Sequence, residues 1–194
     1  MRHYQRRPRA SVLAWSCLAF VLTTHHSPLT TLEAASPEAE SYIKQLDATD
    51  AFIRQEAFLH LEALRDPETA PVVRPYLKSK NTETRAFAVR AVAAIERAKA
   101  VPTLVEQLKR EHPTVRVAIL LALEPLQKQD ASIAPVLMAA LRDRKPAVRM
   151  AAVDIVSRMK QPEAKAAILL RWKRERHRDV RRVLELAMKR IGAL

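Results

Sequence analysis

The densest chemistry in this 194-residue chain is a run near its C-terminus, Arg171-Trp172-Lys173-Arg174-Glu175-Arg176-His177-Arg178-Asp179-Val180-Arg181-Arg182. Guanidinium and ammonium groups packed this closely beside an aromatic ring suit the phosphates of nucleic acid, anionic lipid headgroups or an acidic protein surface. Arg171, Lys173, Arg174, Arg178 and Arg182 are the candidate binding residues. The competing reading is a solvated surface with Trp172 turned into the core. Five more arginines, Arg54, Arg85, Arg116, Arg149 and Arg181, recur at spacings of 31, 31, 33 and 32 residues. Such a row either lines a ligand site or serves the structure. Asp50, Glu83 and Asp179 stand near these arginines as available acids.

Other chemistries find little support. His60, His112 and His177 are scattered, with no His-x-x-x-His or His/Cys grouping, so no metal ligand set is expected. Ser79, Ser132 and Ser157 have no His–Asp arrangement or nucleophile elbow around them. Asp154 is the one acid inside a strongly apolar helical stretch, and is expected to face solvent or pair with Arg158 four residues on. No catalytic residue, metal or cofactor is expected, nor a small-molecule ligand.

The elements that position these residues follow from composition and periodicity. Gly192 is the only glycine, against a usual share of roughly 7 %. Sandwiches and barrels need glycine at turns with positive φ, and Rossmann or P-loop sites need it where backbone approaches phosphate. Those folds are excluded in favour of an all-α chain rich in strong helix formers. The net charge of +13 is uneven: residues 36–141 carry 14 basic and 14 acidic residues, whereas residues 142–194 carry 16 and 6. An electrostatic partner, anionic lipid or nucleic acid, should therefore be met by residues 142–194.

Met1–Arg9 holds Arg2, Arg6, Arg7 and Arg9 without an acid, and Ala10–Leu22 follows without a charge. A basic stretch before a short apolar core reads as a secretory signal over residues 1–35, with an uncleaved anchor as the alternative. Small residues at Ala34-Ala35-Ser36 would suit cleavage, which would remove Cys17, the sole cysteine. The mature protein, periplasmic or extracellular, would then be held by packing alone.

The arginine spacing belongs to a longer repeat. Phe52–Leu64, Glu83–Ile95, Thr114–Leu126, Ala147–Met159 and Asp179–Ile191 each carry the arginine third. Three residues later stand Ala57, Ala88, Ile119, Ala152 and Leu184; seven later, Leu61, Val92, Leu123, Val156 and Met188; ten later, Leu64, Ile95, Leu126, Met159 and Ile191. Offsets of 3, 7 and 10 lie on one stripe of an α-helix. Between these segments, Val73/Leu77, Leu104/Leu108, Leu137/Leu141 and Ile168/Trp172 mark second helices, with Pro71, Pro102 and Pro135 near their openings. Pro125 should end or kink its helix, and Tyr42–Leu46 is expected to form a capping helix. A hairpin of about 32 residues cannot bury its stripe alone, but stacked hairpins can.

The pattern is clearest in Lys145-Pro146-Ala147-Val148-Arg149-Met150-Ala151-Ala152 and His112-Pro113-Thr114-Val115-Arg116. It resembles the HEAT-repeat family, in particular the short bacterial HEAT-like repeats of phycobilin lyases, over residues 50–194. The resemblance implies an α-solenoid of about five stacked helical hairpins over residues 36–194. It also implies a structural role for the five repeat arginines. The glycine that often ends the family's first helix is missing, so those turns are expected to be helically extended. A scaffold that binds a protein partner is the function expected. The alternatives are a peripheral binder of anionic lipid or nucleic acid, or a repeat-built enzyme of the lyase or DNA glycosylase kind.

Overall fold

Short polar residues and prolines open the helices, and the chain folds between them. Asp50 Oδ1 accepts the Phe52 N–H at 2.7 Å, Asn81 Oδ1 accepts those of Glu83 and Thr84 at 2.8 and 3.1 Å, and Pro113, Pro146 and Pro162 occupy first helical positions. The computed structural model describes residues 35–193. It contains α1 (Pro37–Ile43), α2 (Ala51–Leu64), α3 (Ala70–Val73), α4 (Thr82–Glu96), α5 (Val101–Leu108), α6 (Pro113–Leu123), α7 (Ile133–Ala139), α8 (Pro146–Arg158), α9 (Pro162–Arg174) and α10 (Arg178–Arg190). No strand occurs among the described residues. No described helix is long and apolar enough to cross a membrane. The signal or anchor reading falls on residues outside those described.

The five repeat segments are α2, α4, α6, α8 and α10, and each packs on the next. The second helices α3, α5, α7 and α9 each pack against the first helix that follows. This is an α-solenoid of stacked hairpins, built as the periodicity requires. Two of the apolar columns form its core: Ala57, Ala88, Ile119, Ala152 and Leu184 are fully buried, as are Leu61, Val92 and Leu123, with Val156 and Met188 nearly so. In the third column Ile95 and Leu126 are buried, and Leu64, Met159 and Ile191 pack partly buried against the core. Alanine in the first column lets α2, α4 and α8 come close to their neighbours.

The ends of the stack differ from expectation. The first capping helix is Pro37–Ile43, earlier than Tyr42–Leu46. Ser36 caps it with its hydroxyl, Pro37 is its first residue, and Leu46 lies buried in the turn beyond. At the other end α10 has no second helix after it among the described residues. Four complete hairpins therefore lie between a leading helix and a closing one. The second helices are also short: α3 gives way to a 3₁₀ segment over Arg74–Lys78, where Pro75 lacks the N–H that an α-helix would use. Pro125 ends α6 as anticipated, and 3₁₀ turns fill Glu124–Lys128 and Arg97–Ala100, where the family often has glycine.

Two arginines take over a glycine's conformation. Arg65 has φ 54° and ψ 30°, and Arg97 has φ 55° and ψ −126°. The second pair of angles lies outside the left-handed well that other residues visit. Arg97 is exposed, so its replacement relieves strain without loss of packing. Arg97→Gly is expected to raise stability by about 1 kcal/mol after the entropic cost of glycine, read as an increased urea midpoint. A lowered midpoint would contradict this.

Candidate functional site

The turns that lead into the first helices place the repeat arginines at the start of those helices, beside the next hairpin. Each guanidinium reaches back to carbonyls of its own turn: Arg54 to Ala48 and Thr49, Arg85 to Ser79 and Lys80, Arg116 to Glu111, Arg149 to Asp143, Arg181 to Glu175. Three also reach forward to a carboxylate of the next turn. Arg85 bonds Glu111 at 3.1–3.2 Å, Arg116 bonds Asp143 at 2.7 and 2.9 Å, and Arg149 bonds Glu175 at 2.8 and 3.0 Å. The result is a ladder of alternating charge that ties turn to turn from Arg85 to Arg181. Asp50, Glu83 and Asp179, the acids nearest in sequence, are not these partners. Asp50 caps α2 instead, while Glu83 and Asp179 sit in the first turns of α4 and α10.

The acids that matter are Glu111, Asp143 and Glu175, which recur at 32 and 32 residues. That interval was visible in the sequence but was hidden among other charges. Ser79 occupies the equivalent place one repeat earlier, so Arg54 has only carbonyl partners. Arg116 and Arg149 are buried, and so is Glu175.

Burial of Glu175 opposes its ionisation. The hydrogen bonds from Arg149, the His177 N–H and the charges of Arg171 and Arg149 outweigh that and hold its pKa at about 2, from an ordinary 4.5. Because the folded value lies below the unfolded one, this stabilisation is complete above pH 4.5 and lost as pH falls toward 2. It amounts to about 3 kcal/mol. Glu175→Gln is expected to flatten the decline in stability over that window while lowering stability at pH 7. An acid unfolding curve with unchanged slope would contradict the assignment.

The C-terminal basic run divides into two groups. Arg171 Nη2 lies 2.7 Å from Glu175, and its Nε is buried without a hydrogen-bond partner. Arg171 thus belongs to the ion cluster of the ladder and drops out of the candidate binding set. Lys173, Arg174, Arg178 and Arg182 are exposed and take part in no ion pair among the described residues. Trp172 is half-buried against the core, and the Arg181 guanidinium sits 4.6 Å from its ring centroid. Among the described residues no cluster of His, Cys, Asp and Glu is arranged to hold a metal.

The outer face of the first helices carries a second feature. A groove of about 770 Å³ crosses α2, α4 and α6. Ala86, Ala93, Ala118 and Ala122 leave room on its floor beside Phe87 and Leu126, and Leu121 stands 47 % exposed within it. Glu62, Arg65, Glu83, Arg90 and Arg97 surround it, with Arg90 and Glu62 paired at 3.1 Å. Toward the C-terminus the same face is closed by charge. Arg158 bonds Glu124 at 2.9 Å and also Asp154, and Arg190 bonds Asp154 at 3.1 Å and Ser157 Oγ at 2.6 Å. Asp154 therefore does pair with Arg158, within a wider network.

Known proteins carry the same architecture. A family model described as HEAT repeats matches residues 39–124 and 101–189. Among solved structures, the complex of CpcE and CpcF of phycocyanin lyase from Nostoc sp. PCC7120 aligns with a TM-score of 0.63 at 18 % identity. That alignment covers 77 % of this chain and 97 % of the other. An engineered protein aligns with a TM-score of 0.49 at 21 % identity, over 79 % of each chain. No curated protein matches the sequence. Five first helices in register, a charge ladder that repeats with them and a family model spanning nearly all of the solenoid lead to one assignment: the chain belongs to the HEAT-repeat family.

Proposed function

We propose that this chain is a non-catalytic scaffold, exported to the cell envelope or exterior, that holds a segment of a protein partner in the groove across α2, α4 and α6. The groove carries the reading. Its floor is made of small side chains of α4 and α6, acidic and basic groups stand around it, and Leu121 lies half-exposed within it. An apolar floor with a charged rim is the usual anatomy of a protein-binding patch. The similarity to a complex of two chains, CpcE and CpcF, supports a protein as the occupant. Export rests on the basic and apolar pattern of Met1–Leu22.

Site-specific photo-crosslinking tests the reading. A photoreactive residue at Leu121 is expected to capture a discrete protein from the intact cell, and one at Lys128, outside the groove, is not. Leu121→Asp should abolish capture by a probe at Ala94 while leaving the melting temperature unchanged. Equal capture from both positions, or none from Leu121, would overturn the groove as the seat. Fractionation with sequencing of the mature N-terminus tests export; a chain retained in the cytoplasm would refute it.

A further inference from the structure

The charge ladder has a consequence at the surface. It consumes the acids of the turns that lead into first helices and leaves their cations outside. Residues 78–81, 109–112, 142–145 and 173–178 hold eleven basic residues and three acids. The acids are Glu111, Asp143 and Glu175, each turned inward onto a repeat arginine. The cations, from Lys78 and Lys80 to Arg176 and Arg178, are all exposed. Only Lys109 is paired, with Glu106. Ladder bonds join these turns directly, and Gln107 Nε2, bonded to Leu77 O and Glu111, joins the first to the second. They therefore lie along one edge of the stack. The turns on the other edge, 65–68, 96–100, 124–130 and 159–163, hold five basic and six acidic residues. The asymmetry belongs to the fold, since the sequence interleaves the two sets of turns. The N-termini of α4, α6, α8 and α10 open at the basic edge and add the positive ends of their dipoles.

We propose that this edge docks the protein on an anionic lipid bilayer. Cations on long side chains at the tips of successive turns meet a flat, diffuse negative charge together, without the fixed geometry that a specific ligand demands. Single-stranded nucleic acid is disfavoured by the side chains present. It needs aromatic faces for stacking, and the described tryptophan, Trp172, is half-buried beneath Arg181. The cation density also rises along the edge. The turn before α2 carries Asp47 and Asp50, and the turn before α10 carries Lys173, Arg174, Arg176 and Arg178. The bound protein should accordingly sit with its α8–α10 end nearest the membrane. The docking does not depend on the groove across α2, α4 and α6.

Co-sedimentation of the full chain with vesicles tests the proposal. Binding is expected to phosphatidylcholine vesicles containing phosphatidylglycerol and not to phosphatidylcholine alone, and it should vanish as salt rises past physiological strength. The triple exchange Arg174→Glu, Arg176→Glu and Arg178→Glu should weaken partitioning at least about a hundredfold. Arg142→Glu with Arg144→Glu should act in the same direction, which guards against a folding defect in the first variant. Lys99→Glu, Lys128→Glu and Lys160→Glu, on the opposite edge, should change partitioning little. Binding that persists on neutral vesicles and in high salt, as insertion of the apolar N-terminal residues would give, overturns the proposal if the exchanges leave it intact. A 30-base-pair DNA duplex that competes the protein off the vesicles at equal phosphate overturns it in favour of nucleic acid.

Discussion

Arg149→Ala is expected to lower the unfolding free energy by about 3 kcal/mol, the low end for removing one member of a buried ion pair. Arg149 is 9 % exposed and Glu175 3 %. The substitution deletes two charge-assisted hydrogen bonds to Glu175 and one to the Asp143 carbonyl. Glu175 would retain Arg171 and the N–H groups of Arg176 and His177, which keeps the loss from being larger. Arg149→Lys should recover little, because an ammonium cannot make the paired contacts of a guanidinium. Arg54→Ala is the internal comparison. Its guanidinium bonds only the carbonyls of Ala48 and Thr49, so about 1 kcal/mol is expected. Urea unfolding of the three variants checks the order. An Arg149→Ala midpoint no lower than that of Arg54→Ala would refute the ladder as a source of stability.

Phe58→Ala is expected to cost about 3–5 kcal/mol. The ring is 1 % exposed; it meets Tyr76 edge-on at 5.5 Å and lies near-parallel to Phe87 at 6.4 Å. It thus joins α2 to α4 and to the 3₁₀ segment that completes the first hairpin. Tyr76 is held in place in turn, since its hydroxyl donates to Asp47 Oδ1 at 2.7 Å. Burial and the Asp47 charge push its pKa up to about 12. A stack stabilised by neighbour contacts opens from its ends. Hydrogen exchange should therefore show lost protection in α2 and α3 and retained protection in α8 to α10. Uniform loss along the chain would mean that the hairpins unfold as one unit.

The first helices were legible in the sequence nearly to the residue. Ala57, Leu61 and Leu64, or Ala152, Val156 and Met159, declare an inward stripe because an α-helix returns to the same face at fixed intervals, a rule local to each segment. The scarcity of glycine and the placement of Pro113, Pro125 and Pro146 likewise act through their own backbone. Less visible was the start of α1, where Ser36-Pro37 is a complete opening signal outside the repeat.

The charged residues are a different case. Arg85, Arg116 and Arg149 announced themselves by spacing, but Glu111, Asp143 and Glu175 became their partners only because hairpins stack so that each turn lies on the next. The same stacking withdrew Arg171 from the surface run, left Arg174 and Arg178 outside, and cut a groove where alanines of α4 and α6 face one another beside α2. Periodicity along one helix is set by bond geometry and can be read from a string of letters. The partner of a charge 26 residues away is set by how separate helices pack, and that exists only in the folded chain.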